Sequence, residues 1–381
     1  MKNCSYKKAY SRLSLHYFLY FSVLGTILPY LGLYLQSLKF SPVEIGQLLA
    51  IMLITKVVSP NIWGWFADRD GRSIFWVRLA TALAAFSALG LLFFESYWPL
   101  FLTILAFSFF WHASLPQFES YTFGCLAEDK HRYGEIRLWG SVGFIVAVVA
   151  FGWQVESSGI RLLPIGLVTL LIVVWASSFL VKEAKHKHEE GVDERFFNLL
   201  KRPEVLSLLV VSFLVQLSHG VYYAFYSIQL SDLGYDKTTI ALLWALGVLA
   251  EIAVFFWMSS LFKNYSVRLL ILFSIGLTIV RWLMIGFLAD SILWLFFAQL
   301  LHAASFGLFH AAAIYLMDQY FAGKHHGKGQ ALYAATGHGL GVAVGMFIAG
   351  YAWAVGGSEL AYIISSVAVV LAFIVAWKWS K

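Results

Sequence analysis

Residues 183–204, EAKHKHEEGVDERFFNLLKRPE, form the longest densely charged stretch of this chain, and their position decides its architecture. Six apolar segments precede them, at about 13–36, 44–66, 73–94, 98–122, 134–156 and 161–182. Six more follow, at about 205–231, 238–260, 268–288, 292–320, 328–353 and 357–378. Each is long enough to cross a bilayer core as a helix, which takes about 20 residues. The expected fold is therefore an all-α integral membrane protein with twelve transmembrane helices in two six-helix halves. Residues 1–182 and 205–381 make the halves, and 183–204 is a cytoplasmic central loop.

Composition agrees with this reading. Of 381 residues, 60% are hydrophobic and 13% charged, against about 25% charged in soluble domains. Too few polar side chains exist to cover a water-facing surface. A β-barrel is disfavoured because the apolar runs are continuous and do not alternate every second residue. The start, MKNCSYKKAYSR, runs into a full-length apolar segment without a small-residue cleavage site, so we expect it to remain as the first span. Cys4 and Cys125 match neither a disulfide framework nor a metal-ligand spacing.

The formal net charge of +6 reads as a topology signal. Lysines and arginines concentrate at the N-terminus, in the even-numbered loops and at the C-terminus, 21 in all. The opposite side holds three, Lys39, Arg161 and Lys237, and the spans hold Lys56, Arg137 and Arg281. Cytoplasmic loops carry the excess of basic residues, so both termini are expected in the cytoplasm of a multi-pass protein of the cytoplasmic membrane. Nothing in this distribution implies nucleic acid.

Between spans two and three the chain reads Gly64-Trp65-Phe66-Ala67-Asp68-Arg69-Asp70-Gly71-Arg72. A tight turn here would set a carboxylate beside helix ends and arginines. This stretch resembles the signature loop of the major facilitator superfamily, G-x-L-a-D-r-x-G-r, with Phe66 in place of leucine. The resemblance implies a conformational loop built on Gly64, Asp68, Arg69, Gly71 and Arg72. The corresponding loop of the second half, Ser259 to Ser266, has lost the pattern.

A second motif, Tyr133-Gly134-Glu135-Ile136-Arg137-Leu138-Trp139-Gly140-Ser141-Val142-Gly143, opens span five. It resembles the proton-coupled, lactose-permease-like branch of the superfamily, and the phenylpropionate-permease group more closely. In that branch an acid on span four pairs with the span-five arginine, which here implies Glu119 with Arg137. The branch also carries an acid on span eight, an arginine on span nine and a histidine on span ten. Their counterparts are Glu251, Arg281 and His302, which with Glu119 form the implied proton-coupling set. The branch has a second acid three residues after that histidine, where this chain has Ser305. Spans seven and eleven add His219 and His338.

Intramembrane charges are costly and mark functional sites by default, at about 2.5–3.5 kcal/mol each on insertion scales. Lys56 lies mid-way along span two, and with Arg137 and Arg281 it makes three interior cations against two acids. That balance favours an anionic substrate. We therefore expect substrate contacts from Lys56, Arg137, Tyr20, Phe144, His219 and Tyr223, the aromatic members offering a wall for an aryl ring.

The expected function is proton-coupled symport of a small organic anion, an aromatic carboxylate such as 3-phenylpropionate, by alternating access. The alternatives are a proton-coupled sugar or nucleoside symporter of the same fold, and a transport-inactive membrane sensor. No P-loop, H-E-x-x-H zinc motif or nucleophile elbow is present, so the chain reads as neither ATP-driven nor enzymatic. The expected partners are a small-molecule substrate, protons and the lipid bilayer, with no cofactor, no metal and no nucleic acid, and the protein is expected to act as a monomer.

Overall fold

The computed structural model describes residues 6–183, 194–321 and 323–379. Residues 184–193 of the charged central stretch lie outside the described residues, as do Cys4 and the basic residues Lys2, Lys185, Lys187 and Lys381 of the topology reading. In lipid a helix satisfies its backbone polar groups within its own segment, and all described elements are helical. They are α1 (Tyr6–Ser37), α2 (Pro42–Asp70), α3 (Ser73–Ala88), α4 (Tyr97–Leu126), α5 (Tyr133–Ser158) and α6 (Leu163–Ser178). After the short α7 (Glu194–Leu200) come α8 (Pro203–Asp232), α9 (Lys237–Asn264) and α10 (Val267–Phe287). The tenth span joins α11 (Ile292–Leu300) to α12 (Phe309–Tyr320) through a π turn, Ala303–Leu308. A second π turn, Ala335–Gly341, joins α13 (His326–Ala334) to α14 (Val342–Trp379).

Among the described residues, eleven helical stretches are long and apolar enough to cross a membrane. The last, His326–Lys378, has 53 residues, about 80 Å of helix against a hydrocarbon core of about 30 Å. It breaks at Gly356 and Gly357, where Gly357 takes φ 64°, a conformation that favours glycine. The stretch thus holds two crossings, making the twelve read from the sequence.

The helices fall into two compact units. Met1–Phe40 with Ile54–Glu190 forms one, and Ser41–Leu53 with Gly191–Lys381 the other. In the first unit α1 packs on α5 and α6, and α3 packs on α4 and α6. Leu13, Tyr17, Ile74, Val77, Phe118, Tyr121 and Val181 share one buried cluster there. The N-terminus of α3 has no side-chain cap of its own. Glu183 supplies one from beyond α6, accepting from the backbone N–H groups of Ile74 (3.2 Å) and Phe75 (2.7 Å). A carboxylate at a helix N-terminus also meets the positive end of its dipole.

The second unit is built around α8 against α14. The contact is close enough that a Cβ on Gly345 would collide with the Leu217 carbonyl, so glycine is required. Close backbone approach through small residues is the usual basis of helix association in lipid. The same device recurs in the first unit, where Gly143 of α5 lies against the Phe18 carbonyl of α1.

One expectation needs correction. The stretch Gly64–Arg72 is not a turn throughout, because α2 continues through Asp70. Only Gly71, with φ 67°, turns the chain before α3. The carboxylate that organises this corner is Asp70. It accepts from the Arg72 N–H (2.9 Å), pairs with the Arg72 guanidinium (3.0 Å) and accepts from Trp76 Nε1 (3.0 Å). Arg69 lies over Trp65 and Arg72 over Phe75, while a Cβ at Gly64 would meet the Gln117 side chain only at ordinary contact distance, so no close approach requires glycine there.

Candidate functional site

In the first unit the charges set mid-way along the spans are Glu119 on α4, Arg137 on α5 and Lys56 on α2. Glu119 accepts a hydrogen bond from the Tyr133 hydroxyl (3.1 Å). Arg137 and Lys56 are the cations close enough to act on it. The direct Glu119–Arg137 ion pair is not made, since no carboxylate among the described residues lies within 4 Å of either cation. Arg137 instead sits over the Phe21 ring, 3.8 Å from its centroid. Gly140, one turn along α5, leaves room for this stack, because a Cβ there would lie 2.7 Å from both the guanidinium and the ring.

Lys56 was expected to be buried and is exposed. The cause is helical phase. Thr55 and Ser59, four residues apart on one face of α2, bond to α4: Thr55 Oγ1 to Ser108 Oγ and His112 Nδ1 (3.0 Å each), and Ser59 to the Phe109 carbonyl. Lys56 is about 100° round the helix from Thr55, off the packed face. Its ammonium still lies within electrostatic reach of Glu119 and Arg137.

Aromatic rings line this set. Tyr20 stacks on Trp111 (5.0 Å, 19°), packs on Phe21, and donates to the Trp111 carbonyl (3.4 Å). Tyr17 meets Tyr133 edge-on at 6.3 Å. Phe144 is buried where α5 packs on Gly25 of α1.

In the second unit Arg281 of α10 is wholly buried. It donates from Nε to the Ala298 carbonyl (3.0 Å), from one terminal nitrogen to Ser305 Oγ (3.0 Å), and from the other to Gln299 Oε1 (3.4 Å). Its guanidinium also lies over Tyr222 (4.4 Å) and Trp282 (4.7 Å). Ser305, standing where the branch has an acid, thus accepts from this arginine as a neutral group. No carboxylate among the described residues comes within 4 Å of it.

Glu251 of α9 faces His302 instead, with Oε2 at 3.8 Å from Nε2. His302 Nδ1 is buried and has no partner among the described residues. His219 of α8 bonds through Nδ1 to the Val215 carbonyl (2.8 Å), leaving Nε2 buried without a partner among the described residues. Tyr223 stacks on Trp244 and neighbours His219. The site residues expected from the sequence therefore assemble as two sets, one in each unit.

Sequence reasoning missed several contributors. Tyr133 stood in the motif beside Arg137 but without a role. Gln299 and Phe306 share a face of the tenth span with His302 at i−3 and i+4 spacing, the signal that could have revealed them. Trp111 and His112 lacked any such signal in so apolar a helix.

Long apolar helices in two compact units, with a few charged groups within the spans, are the construction of a membrane transporter, in which such charges mark the site. The chain belongs to the MFS_1-like family, whose family profile matches residues 10–364, and it is a multi-pass membrane transporter of the major facilitator type and not an enzyme. It is 27% identical over 381 residues to the "Probable 3-phenylpropionic acid transporter" of Escherichia coli K12, covering 95% of this chain and 96% of that protein. It is 25% identical over 371 residues to the maltose permease of Geobacillus stearothermophilus, covering 96% and 93%. Its fold matches the crystal structure of a mutant of the nucleoside transporter NupG with a TM-score of 0.87 at 17% identity, over 98% of this chain and 100% of that one.

Proposed function

We propose that the protein is a proton-coupled symporter of a small aromatic carboxylate such as 3-phenylpropionate, working by alternating access as a monomer in the cytoplasmic membrane with both termini inside. The observation that carries this reading is the charge set within the first unit's spans, two cations (the exposed Lys56 and the half-buried Arg137) against one carboxylate (Glu119), bordered by Tyr20, Phe21 and Trp111. A surplus cation is matched by a substrate carboxylate, and neighbouring rings match an aryl group. A neutral sugar or nucleoside would gain nothing from the surplus. The relative with a 3-phenylpropionic acid transporter's name supports the same class. In the second unit Glu251 with His302 is the proton-binding pair, since Ser305 leaves Arg281 no acid to exchange with.

Purified protein in liposomes with an acidic exterior should accumulate labelled 3-phenylpropionate above the level of empty liposomes. Accumulation of maltose or a nucleoside without 3-phenylpropionate would transfer the reading to those substrates, and no uptake of any would point to a sensor. Lys56→Ala should weaken 3-phenylpropionate binding by about tenfold, or about 1.4 kcal/mol, while leaving 3-phenylpropionamide unaffected. Equal weakening of both ligands would remove Lys56 from carboxylate recognition.

A further inference from the structure

The tenth span carries titratable residues at a spacing of eight, His302, His310 and Asp318. Each has a partner from a neighbouring helix of the same unit. His302 faces Glu251 of α9 at 3.8 Å. The Nδ1 of His310 meets the Tyr333 hydroxyl of α13 at 3.0 Å and the Nε2 of His338, in the second π turn, at 3.3 Å. Asp318 pairs with His326 at 2.8 Å and accepts from Gln330 at 2.9 Å, both on α13.

Eight residues of ordinary α-helix rotate by about 80° beyond two full turns, which would point His302 and His310 in different directions. The π turn Ala303–Leu308 lies between them. A π turn accommodates one extra residue, setting back the phase by about 100° and restoring the two histidines to nearly one line. The rings record that alignment. Phe306 stacks on His302 (5.3 Å, 13°) and on His310 (5.9 Å, 14°). The two histidines therefore follow one strip of the helix about 11 Å apart, and Asp318, eight residues of ordinary α-helix beyond His310, lies about 12 Å further on and about 80° round, on the side where α13 supplies His326 and Gln330.

We propose that this histidine strip is a proton relay that connects the Glu251–His302 pair, through the His310 group and the α13 stretch that partners both, to the aqueous end of the tenth span at Asp318, deepening the proton-coupled reading on which it rests. A proton leaving the Glu251 carboxyl is taken by His302 at Nε2, and the one on Nδ1 is released to the far side of the ring. That nitrogen is the buried atom without a protein partner among the described residues, as a relay through bridging water requires. The His310, His338 and Tyr333 group receives the proton next, and Asp318 with His326 passes it to bulk water. The charged and titratable groups facing the relay are Glu251 from α9, Arg281 from α10 through Ser305, His219 (6.2 Å from Phe306) and Tyr222 (6.0 Å from His302) from α8, and His326, Tyr333 and His338 from the last long stretch. Polar ties between helices alone would need no common line of rings.

The test compares wild type, His310→Gln and His310→Glu. First, purified full-length protein in micelles receives a light-triggered pH jump, and an indicator dye follows proton uptake, with no substrate needed. His310→Gln should slow the phase assigned to Glu251–His302, identified by its absence in Glu251→Gln, by about a hundredfold, the lower range for a positioned proton-transfer group. His310→Glu should restore much of it. An unchanged rate in His310→Gln overturns the relay whatever the substrate is. Second, in liposomes, His310→Gln should lose gradient-driven uptake of 3-phenylpropionate yet keep wild-type counterflow. Equal loss in both modes would assign His310 a purely structural tie. If wild type moves no 3-phenylpropionate in either mode, the substrate reading fails and the dye measurement still decides the relay.

Discussion

The buried Arg281 gives the sharpest test of how this chain tolerates a charge inside a span. Its side chain has no exposure, and each guanidinium nitrogen donates to a neutral oxygen, of Ala298, Ser305 or Gln299. Ser305→Ala removes one acceptor 3.0 Å away and leaves a charged N–H buried without a partner. A hydrogen bond to a charged group contributes about 1.5–3 kcal/mol, and the substitution deletes only one oxygen, so no cavity term of note is added. We expect a loss of about 2 kcal/mol. At about 2–4 °C per kcal/mol for a unit of this size, melting in detergent, followed by fluorescence-detected size exclusion, should fall by about 4–8 °C. Ser212 of α8 is the control, equally buried but with a hydroxyl that has no partner among the described residues. Ser212→Ala should melt within about 1 °C of wild type. If Ser305→Ala also melts with wild type, or Ser212→Ala falls as far, then Ser305 does not hold Arg281 and the neutral-acceptor account of this cation fails.

Two further outcomes follow from packing and capping. Gly345→Val drives a side chain into the Leu217 carbonyl between α14 and α8, so the monodisperse folded peak should be lost. Gly276→Val on α10, where a Cβ meets nothing within 4 Å, should preserve it. At the start of α9, Asp236 accepts from the Thr239 hydroxyl (2.7 Å) and N–H (2.8 Å), which hold its carboxyl below the usual carboxylate range. Asp236→Ala should cost about 1 kcal/mol at pH 7. Because the native value is depressed, that contribution is complete above about pH 4 and disappears as pH falls through the native value. Melting curves of wild type and variant should therefore converge in acid. A constant gap would mean that the side chain's charge plays no part in the cap.

Much of the fold was legible before any coordinates. Continuous runs of about 20 apolar residues read as helices in lipid, because a helix gives every backbone polar group a partner within its own segment. That requirement is local, so composition and the charged stretch at 183–204 sufficed to read twelve spans in two sets. Boundaries differ by a few residues, as where α2 continues through Asp70 and α6 stops at Ser178. The identities of the interior charges were equally legible, since a rare residue type in an apolar run cannot be overlooked.

Which charges meet is a different matter, and only the tertiary structure decided it. Glu119 takes the Tyr133 hydroxyl while Arg137 turns to Phe21, and Lys56 faces off the α2–α4 contact. Arg281 settles on Ser305 and Gln299, and His302 and His310 come into line only through a π turn. Each outcome depends on the rotation of a helix about its axis. One residue changes that rotation by about 100°, whereas a hydrogen bond tolerates only a few tenths of an ångström. Hydrophobicity in a membrane span is nearly uniform around the helix, so the sequence carries little record of that phase. Packing sets it, through contacts such as Gly345 against Leu217 and Thr55 against Ser108, and so determines which of the few interior charges can act together.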